Sequence, residues 1–132
     1  MLVVDASCLY EVIAATSMAG TVSQRLAVDT DHAAPQVIDV EVMGVIRAHA
    51  LAGRLDDTAA HQAVIDLRDW PGERFGHRGL LARAWELRHS VRGWDAFYVA
   101  LAEALDSPLV TLDARLSRAP GPRCDIEVVT VT

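Results

Sequence analysis

The segment Leu2-Val3-Val4-Asp5-Ala6-Ser7 decides the fold, because a short apolar run ends there at an acid and passes into a helical pattern. Such a run is typical of a buried strand, and Asp-Ala-Ser is typical of a helix start. A second apolar run, Leu109 to Leu112, ends in the same way at Asp113. Two strands are therefore predicted to carry a carboxylate at their carboxyl ends.

Helical spacing and further short strands fill the rest of the chain. Apolar spacing predicts two short helices or one bent helix over 6–28, broken near Gly20, and four more helices over 39–52, 54–69, 77–89 and 95–105. Asp39 is the expected N-cap of the helix over 39–52. Further strands are predicted over 73–76, 108–112 and 126–131. This alternation predicts an α/β fold in which helices cover both faces of a mainly parallel sheet.

Length and composition narrow the class of protein. The 132 residues suit a single domain over 1–132. The chain start lacks the basic region of a signal peptide, and no apolar run reaches the length of a membrane span. Cys8 and Cys124 form no C-x-x-C pair, and the histidines show no zinc-binding spacing. A reducing cytoplasm is the simplest expected location.

The charge balance argues against nucleic-acid binding by bulk positive charge. The net charge is −6, and all 12 basic residues are arginine. Five of these arginines lie between Arg74 and Arg92 with one acid among them, Glu86. This stretch is interpreted either as a solvated helix face or as a phosphate-binding stripe. In the second interpretation, the candidate RNA-binding residues are Arg78, Arg83 and Arg88.

Four acids are predicted to converge at one edge of the sheet. Asp5 and Asp113 follow strands, whereas Glu41 and Asp95 lie near the starts of helices. Ligands of open α/β sheets bind outside the carboxyl ends of the strands, where the strand order reverses. Each acid alone has an ordinary structural explanation, such as helix capping. Their joint placement favours a site.

Clustered carboxylates suggest metal-dependent chemistry. Like charges in close proximity raise one another's pKa, and a divalent cation removes that conflict. Mg²⁺ and Mn²⁺ prefer oxygen ligands, and they promote phosphodiester hydrolysis by activating water and stabilising the leaving oxygen. Thr111, two residues before Asp113, is either a residue that orients a metal-bound water or a strand threonine with a satisfied hydroxyl.

Four stretches resemble the PIN-domain family, and within it the VapC toxins of bacterial toxin–antitoxin pairs. They are Leu-Val-Val-Asp-Ala-Ser (2–7), Asp-Val-Glu-Val (39–42) with Ile46-Arg47, Asp-Ala-Phe-Tyr-Val-Ala-Leu-Ala-Glu (95–103) and Leu-Val-Thr-Leu-Asp-Ala-Arg-Leu (109–116). The resemblance implies a three-layer α/β/α domain with Mg²⁺- or Mn²⁺-dependent endoribonuclease activity. It matches the family's acidic positions to Asp5, Glu41, Asp95 and Asp113. It also implies an antitoxin that occludes the crevice, and homodimers through helical faces.

Two other classes of protein share parts of this pattern. A flavodoxin-like phospho-acceptor or a phosphotransferase would also carry an acid at a strand end, but such chemistry usually places a lysine beside the phosphoryl group, and this chain has none. A PIN-like module that binds RNA or protein without cutting is the non-enzymatic alternative. The four intact acids argue against it.

Overall fold

A five-stranded parallel sheet forms the centre of the computed structural model, which describes residues 1–130. The strands are β1 (Leu2–Val4), β2 (His32–Pro35), β3 (Glu73–Phe75), β4 (Leu109–Thr111) and β5 (Ile126–Val128). Their order across the sheet is β3-β2-β1-β4-β5. The predicted parallel sheet is confirmed.

Helices flank this sheet in an α/β/α arrangement, as the alternating pattern predicts. They are α1 (Ala6–Ile13), α2 (Ala19–Leu26), α3 (Val37–Leu51), α4 (Asp57–Asp69), α5 (Leu81–Glu86), α6 (Asp95–Ala104) and α7 (Ala114–Arg118). The segment over 6–28 forms two short helices rather than a bent one. Within residues 1–130, no helix has the length and apolar character that crossing a membrane requires.

The central strand β1 determines where a site can form. Val3 is fully buried and lies opposite Ala33 of β2 on one side and Leu109 of β4 on the other. From β1 the chain builds β2 and then β3 on one side of β1. It then crosses to the other side and forms β4 and β5, so the strand order reverses between β1 and β4. The predicted adjacency of these two strands is confirmed, and it opens a crevice at their carboxyl ends.

Strand β2 was absent from the sequence prediction. Its residues are His-Ala-Ala-Pro, and alanine and proline are depleted in strands. Ala33 and Ala34 are fully buried between β1 and β3, so the small side chains fit a central position that the neighbouring strands impose. Tertiary packing, rather than local propensity, makes this segment a strand.

Helix α3 begins at Val37, so the prediction of Asp39 as its N-cap is wrong. The backbone N–H of Val37 donates to Nε2 of His77 at 2.9 Å, and this contact satisfies one of the free N–H groups of the first turn. The Asp39 carboxylate instead accepts a hydrogen bond from the Arg74 guanidinium at 2.9 Å. His77 and Arg74 both lie more than 30 positions along the sequence from the α3 residues that they contact.

Two other predicted elements are shorter than expected. The helix over 77–89 divides into a 3₁₀ turn (Arg78–Leu80) and α5, because the Leu80 N–H bonds the His77 carbonyl in the tighter i to i+3 pattern. The last strand ends at Val128, and the predicted end at 131 lies outside the described residues.

The histidine that caps α3 gives a test of how this helix is held. We expect His77→Ala to lower the free energy of unfolding by about 0.5–2 kcal/mol, the usual effect of losing an N-terminal cap. His61→Ala, at an exposed position of α4, is the matched control and should change stability by less than about 0.5 kcal/mol. Urea denaturation measures both, and equal effects of the two substitutions would contradict the capping role.

Candidate active site

Asp5 is a buried carboxylate held by hydrogen bonds on both oxygens. It follows β1 and is 6% exposed. The Ser7 hydroxyl donates to Oδ1 at 2.6 Å, and the backbone N–H of Cys8 donates to the same atom at 3.1 Å. The Thr111 hydroxyl donates to Oδ2 at 2.5 Å. Asp5 therefore caps α1 and also joins β1 to β4.

The two hydroxyls that hold Asp5 are themselves anchored to the end of β4. Ser7 Oγ accepts from the Leu112 N–H at 3.1 Å, and Thr111 Oγ1 accepts from the Asp113 N–H at 3.0 Å. The hydroxyl proton of Thr111 is donated to Asp5, so we assign Thr111 to holding this carboxylate. Of the two alternatives for this residue, the satisfied strand threonine agrees with the geometry.

The other three acids come from separate elements at the same edge of the sheet. Glu41 lies in the second turn of α3, which starts just after β2, and Asp95 begins α6. Asp113 follows β4 and accepts the Arg115 N–H at 2.9 Å as the cap of α7. In a parallel sheet, the carboxyl ends of the strands lie at the same edge. The segments that carry these acids lie at that edge, where the sequence predicts the acids to meet.

Electrostatic coupling links the acids. Burial raises the pKa of Asp5 despite its hydrogen bonds. Burial also raises the pKa of Glu41, with further contributions from the charges of Asp95 and Asp5. The pKa of Asp95 is raised by burial and then by the charges of Asp5 and Asp113. Asp5 thus acts on the acids on both sides of it.

Asp113 behaves differently from the other acids. Partial burial acts to raise its pKa, but hydrogen bonds from the backbone and guanidinium of Arg115, together with the Arg115 and Arg92 charges, lower it overall. Arg92 and Arg115 also line a small cleft of about 90 Å³ with Asp95 and Asp113. The cluster therefore has a cationic border on this side.

A larger groove opens on the other side of the cluster. Its volume is about 920 Å³, and its walls come mainly from α1 and α3. Glu41, Ser7 and the exposed Trp94 line it, so the groove reaches the acids. Gly44, one turn after Glu41, adds open space there, because a Cβ at this position would meet nothing within 4 Å.

The donor set fits Mg²⁺ or Mn²⁺ in its chemistry. The acids supply oxygen ligands, and Oε1 of Glu41 is buried without a hydrogen-bond partner among residues 1–130. Within the same residues, no group of three His, Cys, Asp or Glu side chains is close enough to hold one ion directly. One or two carboxylates can bind the ion directly, and water molecules can bridge the ion to the remaining acids. This arrangement suits the distances between the acids and is the usual coordination of Mg²⁺.

The arginines between Arg74 and Arg92 differ in their contacts. The guanidinium of Arg83 donates to both carboxylate oxygens of Glu103, at 2.7 and 3.1 Å, and also to the Gly121 carbonyl at 2.8 Å. Arg83 therefore ties α5 to α6 and a distant loop. Arg88 is exposed and stacks on the Trp85 ring at 4.3 Å, and Arg78 is also exposed.

Sequence reasoning missed several residues that build this site. Ser7 was predicted only as part of a helix start, although the spacing Asp-x-Ser at a strand end is a local turn pattern in which the serine can bond the acid. Arg115, two residues after Asp113, has a similar local relationship. Tyr98 lies one helical turn after Asp95, and this spacing places both on one face of α6.

Comparison with known proteins identifies the family. The PIN-domain pattern matches residues 2–122. The chain belongs to the PIN-domain family. Similar proteins from Mycobacterium tuberculosis include ribonuclease VapC1, 37% identical over 128 residues and 96% of each chain. Ribonuclease VapC3 from the same organism is 41% identical over 118 residues, which cover 89% of this PIN domain and 85% of that protein.

Solved structures agree with the PIN fold. PAE2754 from Pyrobaculum aerophilum superposes with a TM-score of 0.68 at 24% identity, over 96% of this chain and 83% of that one. VapBC2 from Rickettsia felis, bound to a DNA fragment from its promoter, superposes with a TM-score of 0.71 at 14% identity, over 98% of each chain. At these identities, the likeness concerns the fold.

Burial of the acids of this PIN domain, together with the repulsion among them, should be visible in its stability. The pKa of Asp95 is higher in the folded protein than in the unfolded chain, so the folded state binds more protons between the two values and loses stability as pH rises. In EDTA at pH 7, we expect Asp95→Asn to raise Tm above that of the unmodified protein. The difference should shrink as pH approaches about 4, near the pKa of an unfolded aspartate.

Asp113→Asn is the control of opposite sign. Its lowered pKa means that the ionised form stabilises the fold, so this substitution should lower Tm at pH 7, and the loss should fade as pH falls through the folded pKa. Thermal denaturation from about pH 2 to pH 7 measures both variants, because this range extends below the pKa of about 3.9 of an unfolded aspartate. A Tm difference for Asp95→Asn that does not depend on pH would refute the electrostatic coupling.

Proposed function

We propose that this PIN domain is a metal-dependent endoribonuclease that acts as the toxin of a toxin–antitoxin pair. The observation that carries the proposal is the buried Asp5, whose charge adds to the effect of burial in raising the pKa of both Glu41 and Asp95. Such a cluster has a chemical need for a cation. The ribonuclease names of the similar VapC proteins support RNA as the substrate.

In this proposal, Asp5, Glu41, Asp95 and Asp113 hold Mg²⁺ or Mn²⁺, either directly or through water. When bound, the cation supplies charge that acidifies a water molecule and stabilises the oxygen that leaves phosphorus. The chain's own contribution is to fix the acids in position. Ser7 and Thr111 prevent the Asp5 carboxylate from rotating, because each hydroxyl bonds a different oxygen.

Arginines at the border of the crevice suit a polyanionic substrate. Arg92 and Arg115 lie beside Asp95 and Asp113, where they can attract a phosphate backbone that the acids alone would repel. Arg78 and Arg88 stay candidates for more distant RNA contacts because both are exposed. Arg83 is not included, since its guanidinium is engaged within the fold.

The proposal includes two protein partners. A cognate antitoxin follows from the resemblance to VapC toxins and is consistent with the likeness to the VapBC2 structure. A homodimer through helical faces is supported by large apolar side chains exposed to solvent: Val40 and Met43 on α3, and Leu81 and Trp85 on α5.

The alternative is a PIN-like module that binds RNA or protein without cleavage. Such a module has no need to keep mutually repelling acids that raise one another's pKa. This mutual repulsion favours the nuclease.

Purified protein should therefore cut single-stranded or loop RNA when Mg²⁺ or Mn²⁺ is present, and EDTA should stop the cleavage. Asp5→Asn removes an anionic oxygen at nearly constant volume, so we expect cleavage to fall by orders of magnitude while the far-ultraviolet circular dichroism stays that of the unmodified protein. Gel analysis of a labelled RNA at several time points measures the rate.

Asp106→Asn is a matched control for this substitution. Asp106 is exposed, lies between α6 and β4 at the opposite edge of the sheet, and has a φ of 50°, which asparagine tolerates. This variant should cut RNA at the rate of the unmodified protein. Undiminished cleavage in EDTA, or by Asp5→Asn, would reject the proposed metal mechanism.

A further inference from the structure

Two buried polar atoms beside the acids lack hydrogen-bond partners. They are the Tyr98 hydroxyl and Oε1 of Glu41, and neither has a partner among residues 1–130. Tyr98 is 1% exposed, so its hydroxyl is shielded from bulk water. An unsatisfied buried polar group is destabilising, and its presence in a folded protein calls for an explanation.

The two atoms belong to groups that face each other. Tyr98 lies on α6 and Glu41 on α3, the two helices that carry acids into the crevice. Burial raises the pKa of the Tyr98 hydroxyl, and the Glu41 carboxylate raises it further. In the reverse direction, the hydroxyl acts to lower the pKa of Glu41 against the effect of burial. The groups are therefore close, although the hydroxyl and the carboxylate do not have the geometry of a complete hydrogen bond.

Packing alone does not account for the tyrosine. A phenylalanine at position 98 would fill the same interior space and bring no unsatisfied hydroxyl. The same hydroxyl also lies in the field of Asp5 and Asp95, which act on its pKa in the same direction as Glu41. A donor surrounded by three carboxylates has an evident use as a hydrogen-bond partner of one of them.

We propose that Tyr98 is a positioning residue whose hydroxyl donates a hydrogen bond to one oxygen of Glu41 and leaves the other oxygen to bind the cation. This inference rests on the proposed function, because it assigns Glu41 a cation to bind. Metal ligands are commonly oriented by a hydrogen bond from a neighbouring side chain. Here the donor comes from the helix that also carries Asp95, so one element fixes two acids.

Tyr98→Phe tests the role of the hydroxyl alone. We expect this variant to bind Mn²⁺ about 10- to 100-fold more weakly, the usual effect of removing a group that orients a metal ligand. Isothermal titration calorimetry with manganese chloride measures the affinity independently of RNA cleavage. The Tm in EDTA should not fall, because the hydroxyl lacks a complete hydrogen bond among residues 1–130.

Tyr10→Phe is the matched control. Tyr10 is the only other tyrosine in the chain, is 7% exposed, and lines the same groove as Glu41. It packs against the His49 ring, with 5.2 Å between the ring centroids, and is not assigned to the acid cluster. The Tyr10→Phe variant should bind Mn²⁺ with the same affinity as the unmodified protein.

A double-substitution cycle with Glu41→Gln separates positioning from general effects on the fold. If Tyr98 acts through Glu41, adding Tyr98→Phe to Glu41→Gln should weaken Mn²⁺ binding no further. An additional 10-fold loss in that background would overturn the inference. RNA cleavage should show a lower kcat with an unchanged KM, since the hydroxyl is not exposed to RNA.

The outcomes distinguish this inference from the proposed function. If the unmodified protein binds Mn²⁺ and Tyr98→Phe binds it equally well, the positioning role is wrong and the nuclease proposal stands. If the unmodified protein binds no Mn²⁺ and cuts no RNA, both are wrong. Weaker binding by Tyr98→Phe, with normal binding by Tyr10→Phe, supports the inference.

Discussion

A buried carboxylate at the end of the central strand is the constraint on which the rest of the structure depends. Asp5 is enclosed between β1 and β4, and hydrogen bonds from Ser7, Thr111 and a backbone N–H satisfy its oxygens. The same serine and threonine bond the backbone just after β4, so the strand pairing and the carboxylate hold each other in place. This arrangement fixes the position of one carboxylate in the crevice.

The carboxylates around the crevice determine what it can bind. Three of the acids have raised pKa values because each is partly desolvated and most lie near another carboxylate. The protein tolerates this repulsion rather than relieving it with a buried arginine at the centre. The positively charged side chains lie instead at the border of the acid cluster, where Arg92 and Arg115 flank Asp113. Under the proposed function, a divalent ion in the crevice and a phosphate attracted by the arginines would complete the charge balance.

The sequence predicts the layers of the fold because apolar spacing distinguishes strands from helices, and it indicates the acids because strand ends are recognisable. It misses β2, whose His-Ala-Ala-Pro residues become a strand only through burial between two neighbours. It misplaces the start of α3 because the cap is His77, 40 positions away. The partner of Asp5 was equally hidden, since Thr111 reaches it from a distant segment. Local patterns identify such residues as candidates, but only the fold reveals which atoms meet.

The central claim is that acids from four separate segments form one site for a divalent cation. Anomalous diffraction from crystals grown with Mn²⁺ tests this most directly, because it locates the ion without reference to activity. The account predicts an anomalous peak in the crevice at the carboxyl ends of β1 and β4, bordered by Asp5, Glu41, Asp95 and Asp113. Crystals that contain Mn²⁺ only at surface positions remote from Asp5 would contradict it.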